Sequence, residues 1–165
     1  MKKLSSLLAL LLVAAACPSY TPPQTHAVPA QYIVHADFNA TWTEIIAFFA
    51  ESKVPIQTID KSSGLISSKG FEPAGFWLDC GTFSDGLGTQ TTLTARLADF
   101  NVFVRDMGHD STSVRINFTG YEQVTTMVVG ASGPTASRRA CTSTGEFEKA
   151  LAAHITAAAQ SKGTK

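Results

Sequence analysis

The chain has 165 residues, 44% hydrophobic and 16% charged, with thirteen basic residues balanced by thirteen acidic ones. A formal charge of zero lacks the basic excess that a nucleic-acid surface needs. The length suits one domain with one core, and no internal repeat points to a solenoid.

Lys2 and Lys3 precede an apolar run from Leu4 to Val13 that ends in Ala14, Ala15 and Ala16. This is the layout of an export signal. The run is too short to cross a bilayer, which takes roughly 20 apolar residues, and no later stretch approaches that length. No transmembrane helix is therefore expected in the mature protein. "AAAC", Ala14 to Cys17, resembles the bacterial lipobox, in which small residues precede a cysteine that is diacylated on sulfur and becomes the new N-terminus. Ala14 stands where the lipobox favours a larger aliphatic residue such as leucine. The resemblance implies a signal peptide over residues 1–16 and a palmitate-type lipid anchor on Cys17. It also implies attachment in the bacterial cell envelope, facing the periplasm. Pro18, where an aspartate would favour retention on the inner membrane, points to the outer one.

Cysteine number agrees with this reading. The chain has three, Cys17, Cys80 and Cys141. If Cys17 carries lipid, Cys80 and Cys141 remain as an even pair in an oxidising compartment, where a disulfide is the default. The alternative is a secreted soluble protein with one loose thiol.

Residues 17–30 read as a Pro-rich tether, with Pro18, Pro22, Pro23 and Pro29 and few large apolar side chains. In extended polyproline form it would reach up to about 40 Å and hold the domain clear of the headgroups. Loss of Lys2 and Lys3 with the leader leaves eleven basic against thirteen acidic residues, a charge of −2. Residues 31–165 form the expected single domain.

In "QYIVHADF" Tyr32, Val34, Ala36 and Phe38 alternate with Gln31, His35 and Asp37, the pattern of a half-buried strand. "TWTEIIAFFAESK" follows with Thr41 and Glu44 at capping-box spacing and an apolar stripe of Trp42, Ile45, Ile46 and Phe49; Pro55 stops the helix. "PIQTI" and "LISSK", joined through Asp60 and Gly64, form a hairpin. In "TTLTARLADFNVFVRD" Leu93, Ala95 and Leu97 fall on odd positions but Phe100, Val102 and Val104 on even ones, so a bulge is expected near Ala98 and Asp99. "MGHD" turns the chain into "TSVRINFTGY", where Val114, Ile116 and Phe118 alternate. The last segment, "CTSTGEFEKALAAHITAAAQSK", has Ser143 and Glu146 at capping-box spacing. Phe147, Leu151, Ile155 and Ala158 line one face of its helix. The expected fold is α+β, a single antiparallel sheet with two helices packed on one face, in the order β-α-β-β-β-β-α.

That order behind a lipobox, with "DCG" (Asp79 to Gly81) and "CTSTGEFE" (Cys141 to Glu148), resembles small uncharacterised bacterial lipoproteins. More distantly it is similar to the helix-grip domains of a lipoprotein of the outer-membrane barrel-assembly machinery. The resemblance implies a non-enzymatic domain of accessory role and transfers no catalytic residue.

The four histidines, His26, His35, His109 and His154, fall on separate elements, none at a ligand spacing such as H-x-x-x-H. Asp106, His109 and Asp110 are the densest cluster, but turns gather such residues for backbone reasons. No metal and no cofactor is expected. No C-x-x-C, G-x-S-x-G or S-x-x-K pattern supplies a nucleophile, and "GASGPTAS" lacks a P-loop lysine. Arg138 and Arg139 read as a solvated pair ahead of the last helix. "GFEPAGFWLDCGTF" concentrates Phe71, Phe76, Trp77 and Phe83, which suits either a core or a binding surface. Met127, Val128 and Val129 beside a Gly-rich loop are a second candidate contact. The expected role is a membrane-tethered binding or scaffolding domain contacting an unidentified protein or envelope component. A carrier of an apolar ligand between sheet and helices is the alternative, and no constellation supports an enzyme.

Overall fold

The computed structural model describes residues 17–162, so the leader expected over residues 1–16 lies outside the described residues. The order is β1 (Ser19–Thr21), β2 (Tyr32–Val34), α1 (Phe38–Glu51), β3 (Thr58–Asp60), β4 (Leu65–Phe71), a 3-10 turn (Gly75–Trp77), β5 (Leu78–Asp79), β6 (Thr82–Ser84), β7 (Thr89–Gly108), β8 (Ser111–Val128), β9 (Thr135–Ser143) and α2 (Glu146–Lys162). Over the described residues the fold is α+β, with two helices and antiparallel strands. Where one sheet was expected the described residues form two. A seven-stranded sheet runs β3-β4-β7-β8-β9-β5 with β2 also on β8, and β1 pairs with β6 in a separate ribbon.

Helix α1 starts earlier than the Thr41–Glu44 spacing predicts. Asp37 is its N-cap, with Oδ1 accepting the Ala40 N–H at 2.9 Å. Thr41 lies inside the helix and is buried. The earlier cap brings Phe38 onto the helix, where its ring stacks on Trp42 at 5.7 Å. The β3–β4 turn is as expected. Asp60 Oδ1 accepts the Ser62 hydroxyl at 2.6 Å. With the Ser62 and Ser63 hydroxyls donating first, and their N–H groups adding to this, the Asp60 carboxyl is lowered to about 2.

Strands β7 and β8 form the frame. The bulge expected near Ala98 and Asp99 is instead at Thr94, between the pairs Leu93–Val124 and Ala95–Gln123. Thr94 Oγ1 donates to the Gln123 carbonyl at 2.9 Å. Opposite Ala98 and Asp99 the irregularity is on the neighbouring strand, between Ser68 and Phe71 of β4. There Asp99 Oδ1 accepts the Gly70 N–H at 2.8 Å. Phase is therefore absorbed by the partner strand, and Ala98, Phe100, Val102 and Val104 keep one buried face.

On that face Phe100 stacks on Phe49 of α1 at 4.7 Å, and Phe118 stacks on Phe147 of α2 at 4.6 Å. Ile45, Ile66, Val114, Leu151 and Ile155 complete a core in which each is essentially inaccessible. The partners of β8 change along its length. β2 occupies its edge at Thr112–Val114 and β9 takes the same edge from Gly120 to Thr126. Strand β9 contains Arg138 and Arg139, which were expected as a solvated pair ahead of the helix. Its polar sequence hides the strand because one of its faces meets solvent and the other meets a buried carboxylate.

The start of α2 also differs from the capping-box reading. Ser143 Oγ accepts the Gly145 N–H at 3.0 Å and donates to Glu148 Oε2 at 2.8 Å, while Thr144 Oγ1 accepts the Glu146 N–H at 3.4 Å. Glu148, not Glu146, is thus the inward carboxylate. Its burial raises its pKa above the ordinary 4.5, against the opposing Ser143 hydrogen bond. A raised carboxyl binds its proton more tightly in the folded state, so stability falls as pH rises from 4.5 through the folded value. Glu148→Gln is expected to stay flat across that window in urea titrations. The wild-type chain should lose stability relative to it as the carboxyl ionises.

Candidate functional site

The distal half of the β7–β8 hairpin carries a buried charge cluster. Glu122 accepts from Arg96 Nη2 at 2.5 Å and from Arg139 Nη2 at 3.0 Å, and is 5% exposed. The Arg139 guanidinium also sits over the rings of Tyr20 and Phe83, at 5.6 and 5.4 Å from their centroids. One carboxylate thus ties β7, β8 and β9 together, and the two rings bring the β1–β6 ribbon onto the same face of the sheet. Arg139 is committed to Glu122 and to aromatic faces, which leaves it no role as an open anion site.

The segment read as a free tether lies along the domain. Tyr20 Oη donates to the Cys80 carbonyl at 3.3 Å, the Gln24 N–H donates to Asp79 Oδ2 at 2.9 Å, and Thr142 Oγ1 donates to the Gln24 carbonyl at 2.8 Å. His26 Nε2 lies 3.3 Å from Asp79 Oδ2. The Gly81 N–H, then the Gln24 N–H, hold the Asp79 carboxyl below the usual range. Gly81 has φ +72°, and a Cβ there would strike the Thr21 carbonyl and the Pro22–Pro23 bond. Glycine is required for the close approach as well as for the conformation. Prolines suit this strap, because an extended segment that needs few N–H donors can lie across a surface.

Cys80 and Cys141 are joined in a disulfide, with Cα atoms 4.2 Å apart. The bridge holds the segment after β5 to β9, one turn before α2. Leu78 packs on Gly120, where any Cβ would collide with the leucine methyls and come within 2.8 Å of the Leu97 carbonyl. Cys17 is the free cysteine and is exposed.

The seven apolar residues named as candidate surfaces divide. Phe71 and Trp77 are buried in the core, with Trp77 packed on Phe118 and Phe147. Phe76 is 66% exposed and Phe83 covers Arg139 with one face. Met127, Val128 and Val129 are all exposed, at the far end of β8. Sequence reasoning missed Leu87, which is 85% exposed like Val129. The Val129 N–H donates to the Gly88 carbonyl at 2.8 Å, so the Leu87–Gly88 turn and the end of β8 form one apolar tip. No signal in the isolated "DGLGT" marks it.

The opposite face of the sheet is open. Phe103, Arg105, Met107, Ser113, Arg115 and Asn117 line a shallow concavity of about 420 Å³ there. His109 and Asp110 form the β7–β8 turn, with Asp106 near the end of β7. His109 and Asp110 both have φ 52°, and Asp106 Oδ1 accepts the Gly108 N–H at 2.8 Å. His154 lies between Glu44 and Glu51 at 3.8 and 3.9 Å, edge-on to Phe48. Among the described residues no three His, Cys, Asp or Glu side chains converge to hold a metal ion, and no helix is long and apolar enough to cross a membrane. Comparison with protein-family models, curated proteins and solved structures finds no match.

Proposed function

We propose that this chain is a lipid-anchored, non-enzymatic domain of the bacterial cell envelope, attached through Cys17 to the periplasmic side of the outer membrane, where it binds or scaffolds an envelope component. The observation that carries the reading is the cysteine partition. Cys80 and Cys141 are bonded to each other, and the remaining exposed cysteine directly follows Ala14, Ala15 and Ala16. Against the alternative of an apolar-ligand carrier stands the filling between sheet and helices. Phe49, Phe100, Phe118 and Phe147 occupy that space with stacked ring pairs whose centroids are 4.7 and 4.6 Å apart, the spacing of aromatic rings in contact.

Replacing Cys17 with serine is expected to move the protein from the membrane to the soluble fraction. Two acyl chains give stable anchoring where a single chain gives marginal binding. Mass spectrometry of the native protein should find diacylglyceryl mass on residue 17. An unmodified, membrane-free Cys17 refutes the anchor.

A further inference from the structure

The β1–β6 ribbon fixes where an anchor on Cys17 would put the bilayer. Ser19 pairs with Ser84 and Thr21 with Thr82, so the chain before Ser19 runs antiparallel toward Asp85 and the Leu87–Gly88 turn. Cys17 and Pro18 alone separate the anchor from β1, in place of a 40 Å spacer. Strands β7 and β8 reach the same end, with Thr89 paired to Val128 and Gln90 to Met127. The anchor therefore emerges beside Leu87, Met127, Val128 and Val129, four large apolar side chains between 50% and 85% exposed.

Charge tells the same story independently. Residues 17–21, residues 86–95 and residues 123–137, the segments that reach this end, contain no Asp, Glu, Lys or Arg at all, in a chain with 26 such residues. Among the described residues Asp85 is the single charge at this end, and its carboxylate accepts the Thr91 N–H at 3.1 Å. The next charge along β9 is Arg138, exposed and stacked over Tyr121 at 4.8 Å, three residues inside the start of the strand. At about 3.3 Å per residue it stands roughly 10 Å above Thr135, the level of phosphate groups over a tip that reaches the acyl boundary. Tyrosine and arginine favour that depth.

We propose that the tip formed by Leu87, Met127, Val128 and Val129 inserts into the same bilayer that holds Cys17, with Arg138 at the phosphate level, so that the domain is seated on the lipid surface at two points. This rests on the reading that Cys17 marks the membrane. A single flexible point would leave orientation free. Two points stand the long hairpin away from the bilayer and turn its far end, and the open face with Arg105 and Arg115, toward the periplasm.

The test uses the chain from Cys17 onward, which contains every described contact of the fold. A maleimide phospholipid is coupled to Cys17, the one thiol outside the disulfide, and the product is placed in vesicles of phosphatidylethanolamine and phosphatidylglycerol with brominated acyl chains. Fluorescence quenching is read for Leu87→Trp, for Val129→Trp and, at the opposite end of the hairpin, for Met107→Trp. The three sites are exposed, so the substitutions should not disturb folding, and Trp42 and Trp77 give a common buried background. The Leu87 and Val129 variants should be quenched at least about three-fold more than the Met107 variant, as for side chains 5–10 Å into the interface. Equal quenching at both ends, or none at Leu87 and Val129, overturns the proposal. The chemically attached lipid makes this readout independent of what the cell does to Cys17. Failure of the native anchor, seen by mass spectrometry, is thus a separate result.

Discussion

Reduction of the Cys80–Cys141 bridge is expected to lower the melting temperature by roughly 10–15 °C, the shift for about 4 kcal/mol in a domain of this size. The bridge spans 61 residues. In the chain-entropy picture, opening a loop of that span returns about 4 kcal/mol of freedom to the unfolded chain. The folded side of the balance is as exposed as the unfolded one. Between Phe71 and β7 the chain has a 3-10 turn and two short strands; β5 meets β9 through two residue pairs. With the bridge gone, the segment is held by Trp77 on Phe118 and Phe147, Leu78 on Gly120, the two β5–β9 pairs and the Thr144 hydrogen bonds to Phe76 and Trp77, with no covalent tie. The N-terminal strap should loosen with it, because Asp79, Cys80 and Gly81 supply the contacts of Tyr20, Thr21 and Gln24. Calorimetry with and without reductant reads the first effect, and amide exchange over residues 19–26 reads the second. An unchanged melting temperature would show that the bridge is decorative.

The elements that were legible in the sequence are those whose burial follows one period. Phe100, Val102 and Val104 against Val114, Ile116 and Phe118 announce a hairpin because alternate residues face one core, and Phe147, Leu151 and Ile155 announce a helix at spacing four. Elements satisfied by something other than apolar burial escaped. Strand β9 reads "TASRRACTS", and its inward Arg139 is compensated by the carboxylate of its cross-strand partner Glu122, which an apolar pattern does not count. The β1–β6 ribbon is three residues long on each side, below the length at which alternation means anything. Residues 17–30 show proline and no core residues, which describes a tether and a strap equally well. What separates the two is Gly81 and the Asp79 carboxylate, more than fifty residues away. The exposed tip suffered the same fate in reverse. Met127 to Val129 were visible as an apolar run, but Leu87, standing alone between two glycines, gains meaning only from the register of β7 on β8.

Phe147→Ala is expected to cost about 3–5 kcal/mol, the range for removing a buried aromatic ring from a core that cannot fully collapse. The ring is fully buried and touches five others, at 4.6 Å from Phe118, 5.1 Å from Trp77, 5.9 Å from Phe100, 6.1 Å from Phe48 and 6.2 Å from Phe49. These neighbours come from α1, the 3-10 turn, β7 and β8, so a cavity here cannot be closed by the shift of one element. Its position also matters for α2, which begins one residue earlier and docks through Phe147, Leu151 and Ile155. Against a typical domain stability of about 5–15 kcal/mol the loss brings the fold near its limit. Phe147→Leu, which keeps most of the volume, should cost less than half as much. Phe76→Ala removes an equal ring that is 66% exposed and should change stability by no more than about 0.5 kcal/mol. Urea unfolding of the three variants measures the series. If Phe76→Ala matched Phe147→Ala, the division of the aromatic residues into core and surface would be wrong, because the two substitutions differ in burial and not in chemistry.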